Sequence, residues 1–520
     1  MMTPKKGLSL ALALLLLAFC LSVWTHFAYG RHDVDADLAS EMVFSALQNR
    51  EGTLATRNWF YSSELRLLSP VPAYQLGLRL FSDWHGAQVF GAALMLALTL
   101  LAFLYFAAPL ALPCRGLLLA AVLAIPISRP LSDFSAFGAH YSAHLALFFL
   151  LLGMLLRMDR PQGRVRRLAL GVPLALYAGL GGIRLFMMGA VPIALGLALL
   201  CLQEARGGER LRDQLPMWHL SFGAALLLFM LAGLFINLRV LPALYDFESH
   251  AATPVILPTA EVAFAQLVEA ASFYGLRPSS ALLSARGLLS FASLPLMAAA
   301  YLSPVFLLAS AHRAQRLVAW TTLSALLLGM TVNALTENYA AHYYLPGLML
   351  SLVCLALHLS TAPYPRSLRR LLAAVLLIAA PMNAAITVRQ DLVQAPPPQH
   401  RAAEILCDLG VTRGYATFWN GAPLSFASDG AIEVWVLEES VYNDDWKSLS
   451  LSRFLQEKRH LDQRPEGPVF VYLSVEEDAS RPAWADEAHL HARADFGAIY
   501  LYPSADALYA AQAETERTSP

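Results

Sequence analysis

The chain has 520 residues, of which 57% are hydrophobic and only 14% charged, where an ordinary soluble domain carries about 25% charged residues. That leaves too little polar surface to cover a globule in water, so most of the chain must face lipid. With 37 basic and 38 acidic side chains the net charge is −1, and no basic field exists to hold nucleic acid, which excludes that class of partner.

Apolar runs approaching the roughly 20 residues needed for a transmembrane helix begin after Lys5-Lys6 and recur to about residue 387. The expected spans are 8–28, 87–110, 115–128, 140–157, 168–181, 190–203, 217–236, 286–309, 317–333, 344–361 and 370–387. The fifth and sixth are short, and an alternative merges them into one kinked helix. Short cytoplasmic loops are enriched in Lys and Arg, and with the N-terminus inside these loops receive Arg115, then Arg157 to Arg167, then Arg206, Arg210 and Arg212, then Arg313 and Arg316, then Arg366, Arg369 and Arg370. Merging the two short spans would invert every later loop, so the threading favours about eleven spans. The first span, ending near Ala28-Tyr29-Gly30, has a competing reading as a signal peptide; its apolar run is long for one, and a retained anchor is expected. The five cysteines, Cys20, Cys114, Cys201, Cys354 and Cys407, make no disulfide framework and no zinc spacing, and are expected to be buried hydrophobes.

Three polar segments fall outside the membrane on this threading: about 30–86, about 237–285, and everything after about 390. The first opens with Arg31-His32-Asp33-Val34-Asp35-Ala36-Asp37, and Leu38, Met42, Phe44 and Leu47 then carry the spacing of a helix that includes Glu41. Next comes an aromatic belt, Asn58-Trp59-Phe60-Tyr61, with Glu64 and Arg66 behind it, and after Pro70 and Pro72 a second amphipathic stretch from Tyr74 to Phe81. The acids alone have two readings. Asp35 or Asp37 caps a solvated helix, or the cluster carries chemistry.

The order of an apolar first span, an acidic pair, a short helix containing Glu, an aromatic stretch and a further acid before Pro resembles the first outer loop of the GT-C glycosyltransferases. The nearest likeness is to the aminoarabinose transferase and protein O-mannosyltransferase group, whose pattern is roughly Asp-Glu-x-x-Tyr-Ala-Glu. On that pattern Asp35 matches the leading acid, Glu41 the later Glu, and Glu64 loosely the acid before Pro. Ala36 and Ala39 depart from it, and Asp37 supplies the second carboxylate, so the resemblance leaves Asp35 and Asp37 both open as the catalytic acid. It implies a sugar taken from a polyprenyl-phosphate donor and passed to an acceptor on a cell-envelope glycan, lipid or protein, at the outer face of the cytoplasmic membrane.

Such chemistry needs a carboxylate to take the acceptor's proton and cations to hold the departing phosphate. Asp35, Asp37 and Glu64 are the catalytic candidates. Arg184, in Gly179-Leu180-Gly181-Gly182-Ile183-Arg184, is the sharpest cation, because charge at membrane depth is expensive and usually functional; a snorkelling interfacial Arg is the alternative. Arg277 and Arg286 are weaker counterparts, and Arg66 a loop alternative. Glu41, Arg66, His140, Tyr141, Arg184, Glu337 and His342 are the substrate-binding candidates. His140 and His144 share a helical face, for which ordinary interfacial histidines are the simpler reading. Clustered acids could hold magnesium or manganese, although three neighbouring carboxylates do not establish a metal site.

Beyond Pro396-Pro397-Pro398 the pattern becomes soluble in type. Helices are expected over Arg401–Leu409 and Leu449–Arg459, and strands over Tyr415–Trp419, Ile432–Leu437, Val469–Leu473 and Ala498–Tyr502. Trp419, Trp435 and Trp446 could stack on sugars, with core packing the simpler reading. The expected architecture is mainly α: a polytopic transmembrane domain over 1–390 and a small extracytoplasmic α/β domain over 391–520, with the N-terminus inside. Two rivals stand beside the transferase: a transporter or flippase for a lipid-linked or polar substrate, and a sensor or assembly protein working through its C-terminal domain.

Overall fold

The computed structural model describes residues 4–110, 112–133, 141–206, 217–248, 259–278, 280–281, 283–335, 343, 345–361, 378–389, 395–438 and 449–518. The chain is mostly helical with a small sheet region. It divides into two compact units, one of Met1–His26, Ala92–Val240 and Ala251–Asp391, the other of Phe27–Gly91, Leu241–His250 and Leu392–Pro520.

Among the described residues six helical segments are long and apolar enough to cross a membrane: Gly7–Asp33, Trp84–Leu110, Ile183–Arg206, Met217–Ala243, Arg286–Leu307 and Arg313–Leu335. Shorter apolar helices occupy Cys114–Ala124, Ser142–Leu155, Leu345–Thr361 and Ile378–Thr387, and the expected span at 168–181 falls in the helix Arg164–Leu180. That helix ends at Gly181. Gly182, at φ 80° and ψ −168°, is a backbone state that a side chain would strain, and a new helix starts at Ile183 and runs through a π-turn at Phe186–Ala190 into Val191–Arg206.

Charge shows where these two helices go. Arg313 Nε lies 2.9 Å and Arg316 Nη2 2.8 Å from Glu204 Oε1, while Arg313 Nη1 is 3.9 Å and His219 Nδ1 3.7 Å from Asp159 Oδ1. The turns around Asp159, Glu204, His219 and Arg313 therefore meet at one end of the bundle. Arg164–Leu180 leaves that end and Ile183–Arg206 returns to it, as two helices and not one kinked rod.

In the second unit, β3 (Arg413–Thr417), β4 (Glu433–Leu437), β5 (Val469–Leu473), β6 (Leu490–Ala494) and β7 (Gly497–Tyr502) form a sheet of order β4-β3-β5-β7-β6. The β3–β4 and β3–β5 pairs are parallel, and the β5–β7 and β6–β7 pairs antiparallel. Helix Pro398–Leu409 ends, as its glycine foretells, at left-handed Gly410. A third segment joins the sheet and the first loop. The two-residue strand β1 (Phe60–Tyr61) pairs in parallel with β2 (Asp246–Phe247), and Trp59 bridges to Glu457. Phe44, Trp59, Tyr61, Leu65, Phe418, Val436 and Leu455 make one core from both ends of the chain.

Several expectations need correction. Trp59 and Tyr61 are buried and serve as core rather than as an interfacial belt. Leu449–Lys458 is not helical, and a short helix starts only at Arg459: the stretch lies beside the edge strand β4, with a bridge from Leu437 to Leu451 and Leu455 at φ 51°. β3 stops at Thr417, and a helix, Phe418–Ala427, starts there and takes Trp419 with it. Cys20 and Cys407 are exposed rather than buried.

Candidate active site on the first loop

The acids after the first span start a helix, Ala36–Glu51. Asp35 is its N-cap: Oδ1 accepts the Leu38 N–H at 2.8 Å, which satisfies one of the orphan amides of the first turn and sets a negative charge against the positive end of the helix dipole. Asp35 is exposed and Asp37, in the first turn, partly so. One turn further, Glu41 is 2% exposed and pairs with Arg66, Nη1 to Oε1 at 3.3 Å.

Arg66 reaches Glu41 from an unusual backbone, left-handed at φ 58°. The Ser69 hydroxyl donates to the Arg66 carbonyl and in turn accepts the Val71 N–H at 3.2 Å, locking the turn that ends in the helix Val71–Leu80. Glu64, two residues earlier, is 3% exposed.

Sequence reasoning passed over Tyr74. It is fully buried, and burial together with the negative charges of Glu41 and Asp35 pushes its phenol far above the ordinary value. It is thus a neutral O–H within electrostatic reach of both acids. Its place on a short amphipathic stretch spoke for packing alone, so only the folded loop brings it to the carboxylates.

In the helical unit, Tyr141 and Arg184 come together, with the guanidinium carbon 5.9 Å from the ring centroid. The Tyr141 ring also lies 5.7 Å from His144 and 6.3 Å from Tyr343. Arg277 bonds Asn383 Oδ1 at 3.2 Å and Thr387 Oγ1 at 2.6 Å, which commits its charge to the protein. Arg286 has no hydrogen bond or ion pair among the described residues. His140, Glu337, His342 and Trp446 lie outside the described residues.

Among the described residues no three His, Cys, Asp or Glu side chains are placed to hold a metal ion. Of the first-loop acids, Asp35 is turned to its own helix and Glu41 to Arg66, so these two as placed do not form a divalent-cation cage.

No protein-family model matches the sequence, and neither does any curated protein. Solved structures do match. The chain is similar to ArnT from Cupriavidus metallidurans, solved bound to undecaprenyl phosphate, at a TM-score of 0.59 and 13% identity, over 97% of this chain and 99% of that one. It is similar to the oligosaccharyltransferase of Archaeoglobus fulgidus in its apo form at 0.53 and 11% identity, over 95% of this chain and 74% of that one. With the mycobacterial arabinofuranosyltransferase AftD the TM-score is 0.47 at 17% identity, and the chain spans 35% of that protein's length. The likeness to the GT-C glycosyltransferases suggested by the first loop is thus one of fold.

Proposed function

We propose that this protein is a membrane glycosyltransferase that moves a sugar from a polyprenyl-phosphate donor to an acceptor at the outer face of the cytoplasmic membrane. The observation that carries the reading is the shared fold with ArnT over almost the whole of both chains, with an exposed carboxylate at the head of the first-loop helix. ArnT was solved with the kind of lipid that the reaction would release.

In the proposed reaction the acceptor oxygen or nitrogen attacks the anomeric carbon and its proton passes to Asp35 or Asp37. The bond between the anomeric carbon and the phosphate oxygen breaks, and its electron pair leaves with the lipid phosphate. Arg184 is the cation proposed to take up that charge, on the ground that charge at membrane depth is expensive and usually functional, with Arg286 as the weaker candidate. Glu41, Arg66 and Tyr74 set the geometry behind the acids, and Glu64 is proposed to support them from the loop core. The shared end of the turns at Asp159, Glu204 and Arg313 supports the part of the threading in which those basic turns lie on one side of the membrane.

The test is transfer from a radiolabelled polyprenyl-phosphate sugar in membrane vesicles. Removing a general base typically costs about 10²–10⁴-fold, and Asp35→Asn or Asp37→Asn is expected to show a loss of that size at unchanged protein level. Full activity in both variants overturns the assignment.

A further inference from the structure

The sheet of the second unit carries a crevice that the transfer chemistry does not use. From β3 the chain moves to β4 on one side and then returns to place β5 on the other. The strand order therefore reverses between β3 and β5, and in open α/β sheets ligands bind beyond the carboxyl ends of strands at such a reversal. Here that point holds a cavity of about 420 Å³ lined by residues that follow β3 (Trp419, Asn420) and β5 (Glu476, Glu477), with Gln399 and Asp495 beside them. The volume lies in the range of about 300–1,000 Å³ typical of small-molecule sites.

Its floor is polar and already ordered. Glu477, 4% exposed, accepts from Thr417 Oγ1 at 2.7 Å, from Asn420 Nδ2 at 2.9 Å and from the Ser474 N–H at 2.7 Å. Asn420 Oδ1 accepts from Gln399 Nε2 at 2.8 Å. Burial pushes the Glu477 carboxyl above its ordinary value. The wall is Trp419, 56% exposed, while Trp59, Trp435 and Trp484 of the same unit are buried. An indole held out of the core beside fixed amides and carboxylates offers an apolar face for the C–H side of a sugar ring and hydrogen-bond partners for its hydroxyls. Three carboxylates and no Lys or Arg line the cavity, so its field repels phosphate and carboxylate.

We infer that this crevice is a saccharide-binding site for an uncharged or amine-bearing pyranose chain, separate from the first-loop acids. Resting on the transferase reading, the bound saccharide is assigned to the acceptor. Trp419 stacks on the ring, and Gln399, Glu476 and Asp495 take its hydroxyls, while Asn420 and Glu477 hold the floor in place.

Saturation-transfer-difference NMR on the full chain, in a zwitterionic detergent without a sugar headgroup, tests this with cellotriose, maltotriose and chitotriose, and with glucose 6-phosphate as the anionic control. At least one neutral trisaccharide is expected to take up saturation on its ring protons. Binding should weaken at least tenfold in Trp419→Ala and recover in part in Trp419→Phe, and the phosphorylated sugar should give no signal. Silence from all three trisaccharides, unchanged binding in Trp419→Ala, or binding of glucose 6-phosphate equal to that of the neutral sugars overturns the inference. Saccharide binding without any transfer activity supports it and counts only against the transferase reading.

Discussion

At the scale of single residues, the first loop depends on an ion pair that water barely reaches. The Glu41 side chain is 2% exposed and the Arg66 side chain 10%, and Arg66 also bears a left-handed backbone that costs about 1–2 kcal/mol. Breaking a buried ion pair by removing one partner typically costs about 3–5 kcal/mol. Glu41→Ala is expected to lower the unfolding midpoint in detergent sharply, and Glu41→Ala with Arg66→Ala together should cost less than the sum of the two, a coupling that a thermal double-mutant cycle measures. His400 sets a pH dependence. Burial, and then the charges of His32 and Arg31, push its imidazole down to about 4 from 6.5. Because the folded value lies below the unfolded one, the fold favours the neutral ring. Its contribution is complete above about pH 6.5 and is lost as pH falls toward 4. His400→Gln should flatten the decline of the unfolding midpoint with pH across that window; an unchanged slope would remove His400 as its source.

Among the elements, the glycines near Arg184 show what pattern reading reaches and what it misses. Gly179, Gly181 and Gly182 are legible as an interruption, and the chain does break there. A helix pressed on Gly179 is not legible: a Cβ there would lie 2.1 Å from the Met230 carbonyl oxygen, and one on Gly233 2.1 Å from that of Leu176. These two glycines let Arg164–Leu180 and Met217–Phe235 touch backbone to backbone. Gly233→Ala is expected to cost about 1–3 kcal/mol through overpacking, read as a lower thermal-aggregation temperature. The segment Leu449–Arg459 fails in the opposite way. Its apolar spacing suits a helix, but Gln456 Oε1 accepts the Val436 N–H at 3.0 Å and the chain lies along the edge of the sheet, a tertiary bond that no local period encodes.

For the molecule as a whole, composition alone made lipid the main solvent, and of the about eleven expected spans six coincide, among the described residues, with helices long and apolar enough to cross a membrane. The polar segments were legible one by one but not as a group. No spacing rule relates Phe60 to Gln456, yet the Phe60 N–H donates to the Gln456 carbonyl at 2.9 Å, and the Leu455 N–H to that of Phe60 at 3.1 Å. Asp35 was legible as a helix cap and as an acid of the resemblance, because both depend on local order; Tyr74 depends on packing and was not. A chain ending at residue 395 keeps every first-loop acid but loses Phe418, Val436 and Leu455 from the core around Trp59 and Tyr61. In such a truncation the bond after Arg57 or Arg66 should become open to trypsin while the membrane helices stay protected. A loop still resistant to trypsin would show that it folds alone.

The ion pair between Arg50 and Glu457 joins positions 407 residues apart, and this distance is also an interval of time. At the usual rate of about 5–20 residues per second, the ribosome needs roughly 20–80 s to supply Glu457 after Arg50 has been made. During that interval the first loop has Trp59 and Tyr61 without their later partners. The helix that carries the candidate acids is therefore made well before the residue that closes this pair.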